Sequence, residues 1–181
     1  MSFYQKVTEV GSKYIKKHKL FKYGFNLSPM YRRSTAKITY VSEDLLKINI
    51  KLPVNYKNRN YMNTIFGGSM FSAVDPIPMV QLVSLLGKDY VVWDKSAEIF
   101  FKRPAKENLY CEFTYSLEEL HAIRNKVENQ NEVEIIKSSS LTNQDRSVVY
   151  CTVKKTIYVA DKVFYKKKLG KRRLKETQNS N

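Results

Sequence analysis

A chain of 181 residues, 43% of them hydrophobic, is long enough to bury one core and too short for two. Two cysteines and two histidines exclude a disulfide framework and a metal-ligand set, and no cofactor motif is present. The net charge of +15, of which +7 lies between Lys162 and Asn181, favours anionic partners: nucleic acid, an anionic membrane face or a phosphate-bearing ligand.

Residues 2–19 carry Phe3, Val7, Val10, Tyr14 and His18 at three- and four-residue steps, which predicts a helix with lysines on its other face. Lys6, Lys13, Lys16 and Lys17 interrupt any apolar leader, and no stretch of about 20 uncharged apolar residues suits a membrane span. A cytoplasmic location is expected. Strand signals begin with Ala36, Ile38 and Tyr40. They resume after Ser42-Glu43-Asp44 with Leu46, Ile48, Ile50 and Leu52, so a hairpin with one buried face is expected.

From Asn60 to Gly87 only Asp75 is charged, and Ser69–Leu86 is apolar nearly all round. That composition predicts a buried helix, stopped by Gly87. Strands are expected again at Tyr90–Lys102, Leu109–Tyr115, Val133–Leu141 and Val148–Val159, with a short helix or a widened loop at Leu117–Glu128. The fold class is therefore α+β, an antiparallel sheet wrapped around a long central helix. The chain divides into an N-terminal helical extension (1–29), the main domain (30–161) and a basic flexible tail (162–181) with no apolar period.

A lone carboxylate in an uncharged buried stretch needs a role, because burying a charge without a partner is costly. Desolvation would suit Asp75 to general-base work. Its place directly before Pro76 equally suits an N-cap, and both readings stay open. Gly67-Gly68 would let a ligand approach the N–H groups at a helix start, where an oxyanion can be held.

The run Asn60…Phe66-Gly67-Gly68-Ser69-Met70-Phe71-Ser72-Ala73-Val74-Asp75 resembles the signature of PaaI-type hotdog thioesterases. Residues 30–160 as a whole resemble the hotdog family DUF4442, through Asn60–Thr64, Phe66-Gly67-Gly68, Asp75-Pro76, Val92-Trp93-Asp94-Lys95 and Phe101-Lys102-Arg103-Pro104. The resemblance implies hydrolysis of an acyl-CoA thioester in a homodimer or tetramer, with the site between protomers. Asp75 would be the base or nucleophile, Gly67 and Gly68 would supply N–H groups to the carbonyl, and Asn60 would position water or substrate. Phe66 stands where the thioesterase pattern has His, and phenylalanine neither titrates nor hydrogen-bonds. A non-catalytic acyl-CoA or acyl-chain binding protein is the alternative this departure raises.

Further substrate contacts are expected from Asn63, Phe66, Met70, Phe71, Lys95 and Glu98, with the acyl group among Met70, Phe71 and aromatic strand residues. Lys95 could pair with Asp75 or Glu98, reach a CoA phosphate, or form a surface ion pair. Cys111 and Cys151 read as small core residues rather than nucleophiles. The aromatics fall at alternating strand positions, so nucleic acid is not an expected partner; an anionic membrane surface could meet the basic ends.

Overall fold

Strict alternation at 46–52 gives the plainest strand of the protein: Ile48, Ile50 and Leu52 point into the core from β2 (Lys47–Leu52) while their neighbours face outward. A computed structural model describes residues 15–179 of the chain. In chain order its elements are α1 (Lys17–Leu27), α2 (Pro29–Arg33), β1 (Lys37–Val41), β2, α3 (Gly67–Val74) and α4 (Pro76–Leu86). They continue as β3 (Tyr90–Phe101), β4 (Leu109–Thr114), α5 (Leu117–Gln130), β5 (Glu132–Thr142), β6 (Val149–Asp161) and α6 (Lys162–Asn179). The six strands form one antiparallel sheet in the order β1-β2-β4-β5-β6-β3.

β3 therefore lies at an edge of the sheet, paired along its length with β6 from Tyr90↔Asp161 to Phe101↔Cys151. β4 and β5 share only the pair Tyr110↔Thr142. In β1 a bulge between Ile38 and Tyr40 shifts the alternation. Ile38 and Val41 are buried and Tyr40 is turned outward, against the expectation of an inward Tyr40.

The expected central helix is present as α3 and α4, joined through Asp75, whose backbone stays helical at φ −47°, ψ −53°. Its first half packs Met70, Ala73, Val74 and Ile77 against β1, β2 and β4. Its second half packs Leu82 and Leu86 among Val92, Ile123, Val127, Ile157 and Val159. Truncating a fully buried residue such as Leu82 to Ala should cost about 2–5 kcal/mol. Gln81 fixes the helix to the β1–β2 turn, its Nε2 donating to Leu45 O at 2.8 Å.

Three carbonyls near the two prolines accept side-chain donors: Ala73 O from Tyr31 OH, Asp75 O from Lys155 Nζ and Pro78 O from Tyr115 OH. Pro76 and Pro78 have no N–H to give, so the ladder is thinned here.

One expectation for the central helix is corrected, and other segments bear on the expectations in different ways. The helix is not apolar and buried on every side: Phe71, Asp75 and Met79 are half-buried and Val83 is exposed. Gly67–Leu86 is also long and apolar enough to cross a membrane by length and composition, although its inner face is packed as a core helix. The basic segment read as a flexible tail without period is helical as α6, growing directly out of β6. Most of the helix expected at 2–19 lies outside the described residues; the described helix runs Lys17–Leu27 and buries Phe21. The choice left open at Leu117–Glu128 falls to a helix, because Ser116 caps it by accepting from Glu119 N at 3.0 Å and Glu118 and Glu119 sit in its first turn.

Candidate active site

Alternation along β6 places Cys151, Val153, Lys155, Ile157 and Val159 on the inner face of the sheet, all buried. A lysine in that row is out of keeping with its neighbours. Lys155 is 1% exposed, and its ammonium has three donors. One goes to Asp75 O at 2.6 Å, one to Asp75 Oδ1 at 2.7 Å and one to Asp94 Oδ2 at 2.6 Å. The two carboxylates are only partly covered, with side chains 39% and 28% exposed.

Asp94 reaches this centre from β3, where a bulge between Asp94 and Ser96 turns Asp94 and Ala97 to the inner face. Burial pushes the Asp94 carboxyl above the ordinary aspartate range, Lys155 opposes that rise, and the charge of Asp75 adds to it. Between the two carboxylates and one ammonium, the centre carries one negative charge when all three groups are ionised.

Asp75 is thus a paired carboxylate and not a cap. As the first residue before α4 it has helical dihedrals and makes no side-chain cap hydrogen bond. Its place in the helix comes from Pro76, and its charge is answered 80 residues further on. Lys155 was absent from the residues expected at the site. The available signal was a lysine at an inward position of an alternating strand.

The other expected residues divide. Gly67 and Gly68 open α3, whose first N–H groups have no carbonyl a turn earlier to bond. Both positions need glycine for packing: a Cβ on Gly67 would meet the Phe101 ring at 2.7 Å, and one on Gly68 the Phe66 ring at 2.2 Å. The space expected for an approaching ligand is therefore flanked by aromatic rings, both exposed to solvent. The helix start is held in place through Phe66 N, which donates to Asn58 O, and Ile65 N, which donates to Ala105 O.

Asn60 folds the loop before it. Its Oδ1 accepts from Met62 N, Thr64 N and Thr64 Oγ1 at 3.0–3.1 Å. Asn63 is exposed in the left-handed region at φ 59° within the same turn. Met70 is buried in the core, whereas Phe71 stays half-open on the helix face that also carries Asp75.

Lys95 does not join Asp75 or Glu98. The bulge turns it to the outer face, where Nζ meets Glu134 Oε1 at 2.6 Å, both groups about half exposed. Glu98 is exposed and stands opposite Lys154 in the β3–β6 register. Cys111 and Cys151 are buried core thiols; burial pushes Cys151 up to about 11 and Cys111 higher still, which suits neither to nucleophilic work. Among the described residues no cluster of His, Cys, Asp and Glu could hold a metal ion.

Comparison with known proteins agrees with this frame. The family described as "Domain of unknown function (DUF4442)" matches residues 17–159. Among solved structures, a Pseudomonas aeruginosa protein of unknown function, titled a probable thioesterase, superposes with a TM-score of 0.69 at 15% identity, over 79% of this chain and 95% of its own. A thioesterase from Haemophilus influenzae gives 0.59 at 14% identity, over 80% and 90%. A protein of unknown function from Chlorobaculum tepidum gives 0.61 at 14% identity, over 87% and 94%. At these identities the likeness is one of fold, and the fold is the hotdog. No protein of curated function matches the sequence.

Proposed function

This chain belongs to the DUF4442 family, and we propose that it is an acyl-CoA thioesterase working as a homodimer in the cytoplasm. The observation that carries the reading is the Asp75 carboxylate: partly exposed, gripped at Oδ1 by a buried lysine, and so left with Oδ2 to meet water. In the proposed step Asp75 Oδ2 takes a proton from water as the water oxygen bonds to the thioester carbonyl carbon. The carbonyl oxygen takes up the displaced electron pair beside the N–H groups of Gly67 and Gly68. Collapse then breaks the C–S bond, and the thiol leaves with the proton.

Helix geometry supports a site shared by two copies. Asp75 is seven residues beyond Gly68, roughly 10 Å along the helix axis at about 1.5 Å per residue. One carbonyl cannot touch both within one protomer. The Asp75 of a second copy would serve a carbonyl held at Gly67 and Gly68 of the first. The face left open in one chain suits such a partner: Phe71, Met79 and Val83 of the helix, with Phe101 at the end of the edge strand β3. The basic surface would meet the phosphates of the CoA nucleotide.

The test is thiol release from a panel of acyl-CoAs of rising chain length, alongside light scattering. Hydrolysis of at least one member and a mass near twice 21.2 kDa are expected. A monomer that hydrolyses none contradicts the proposal. Phe66 favours a second reading, a binding protein without turnover, because its ring packs on Gly68 and offers no polar group there. In that case acyl-CoA binds to the wild type without hydrolysis, and Phe66→His gains turnover.

A further inference from the structure

We propose that Lys155 is the positioning residue of this site, fixing the Asp75 carboxylate for thioester hydrolysis, and that Asp94 holds Lys155 in place from the other side. The inference rests on the reading of Asp75 as the base. It starts from a count of donors. An ammonium has three, and Lys155 uses two of them on the same residue, the backbone O and the side-chain Oδ1 of Asp75. Gripping a residue at both points fixes the side-chain torsions between them. A carboxylate on a helix surface would otherwise sample several rotamers and lose alignment with a water.

The third donor goes to Asp94 Oδ2 on the neighbouring strand. An ammonium anchored to β6 at one end and to Asp94 at the other cannot follow Asp75 if that side chain swings away. The groups facing the ammonium are Asp75 from the helix junction and Asp94 from β3. Further along the inner face Lys137 of β5 is engaged by Glu119 of α5 at 2.9 Å and lies over the ring of Tyr115, whose hydroxyl donates to Pro78 O. Lys155 is thus the cation in contact with Asp75, and Asp94 is the carboxylate that competes for it.

The substitutions grade with the contact each one removes. Lys155→Met removes the grip, and turnover should fall about tenfold or more while KM for the acyl-CoA changes less. Asp94→Ala removes the oxygen that steadies Lys155 from β3, and turnover should fall by a smaller factor, again with KM changing less. Lys155→Arg keeps a charged donor and should recover part of the turnover lost in Lys155→Met.

The experiment measures these four proteins on the best acyl-CoA of the panel, each checked for folding by circular dichroism. A folded Lys155→Met enzyme with wild-type turnover, or one whose loss lies wholly in KM, overturns the proposal. If Lys155→Met does not fold, Asp94→Ala decides, and wild-type turnover in that variant overturns it. If the wild type releases no thiol, the thioester reading fails on its own account. The positioning claim is then read from NMR three-bond couplings about the Asp75 side-chain torsion: one rotamer is expected in the wild type and averaging over several in Lys155→Met. Equal averaging in the two proteins overturns it.

Discussion

Lys155 and Lys95 stand on adjacent strands of one sheet, and the sheet treats them in opposite ways. Lys95 faces outward on β3, is 53% exposed and meets one carboxylate, Glu134, that is itself 49% exposed. Lys155 faces inward on β6, is 1% exposed and meets two carboxylates and a carbonyl. On the outer face water already solvates both charges, so the pair gains little from meeting. On the inner face the ammonium has lost its water, and the three oxygens replace it. A buried charge must be fully answered, and the groups that answer it are thereby fixed. An ion pair on one face is a surface contact; on the other it is a device that holds a side chain still.

The sharpest way to break this contrast is to remove both answering carboxylates. Asp75→Asn with Asp94→Asn leaves an ammonium at 1% exposure without an opposite charge, which should cost about 3–4 kcal/mol in urea unfolding. A loss under about 1 kcal/mol would mean that the ammonium reaches water. Lys155→Met should cost less, about 2–3 kcal/mol, because both carboxylates keep water on one side and lose less when left alone. The matching change outside, Lys95→Met, should alter stability by about 0.5 kcal/mol or less. Equal losses at the two positions would erase the distinction between the faces.

The pH dependence of Asp94 sharpens the comparison further. Its folded carboxyl titrates above its unfolded value, chiefly through burial. A group raised in this way adds stability at low pH that is lost as pH rises through the folded value. Relative to wild type, Asp94→Asn should therefore gain stability as pH rises from the acid side through the carboxylate range toward neutrality. Melting curves of the two proteins across that range test the sign; parallel curves would place Asp94 in water.

What the sequence disclosed follows the reach of its signals. Strand β2 and the existence of the central helix are local patterns, legible in a few residues at fixed period. The bulges in β1 and β3 are not: each adds one residue opposite the partner strand, so Tyr40 turns out while Asp94 turns in. Asp75 stood out because it was the single charge in 28 residues, yet its local context, Asp-Pro at a helix start, pointed to capping. The partner that decides otherwise lies 80 residues away, on a strand whose neighbour Lys154 faces outward and masks the meaning of the inward Lys155. The same limit applies at the helix start. Gly67-Gly68 announced a close approach, but Phe101, the ring beside Gly67, comes from the end of β3.

The central claim is that Asp75 acts on a thioester, and one pair of proteins tests it most directly. Wild type and Asp75→Asn are compared for thiol release from the acyl-CoA that the wild type cleaves best. Asparagine keeps the size of the side chain and an oxygen for Lys155 to donate to, while it gives up the ability to take a proton. Turnover should fall roughly a hundredfold or more, with acyl-CoA binding retained. Equal turnover in the two proteins would contradict the account and leave Asp75 as a partner for Lys155 and nothing more.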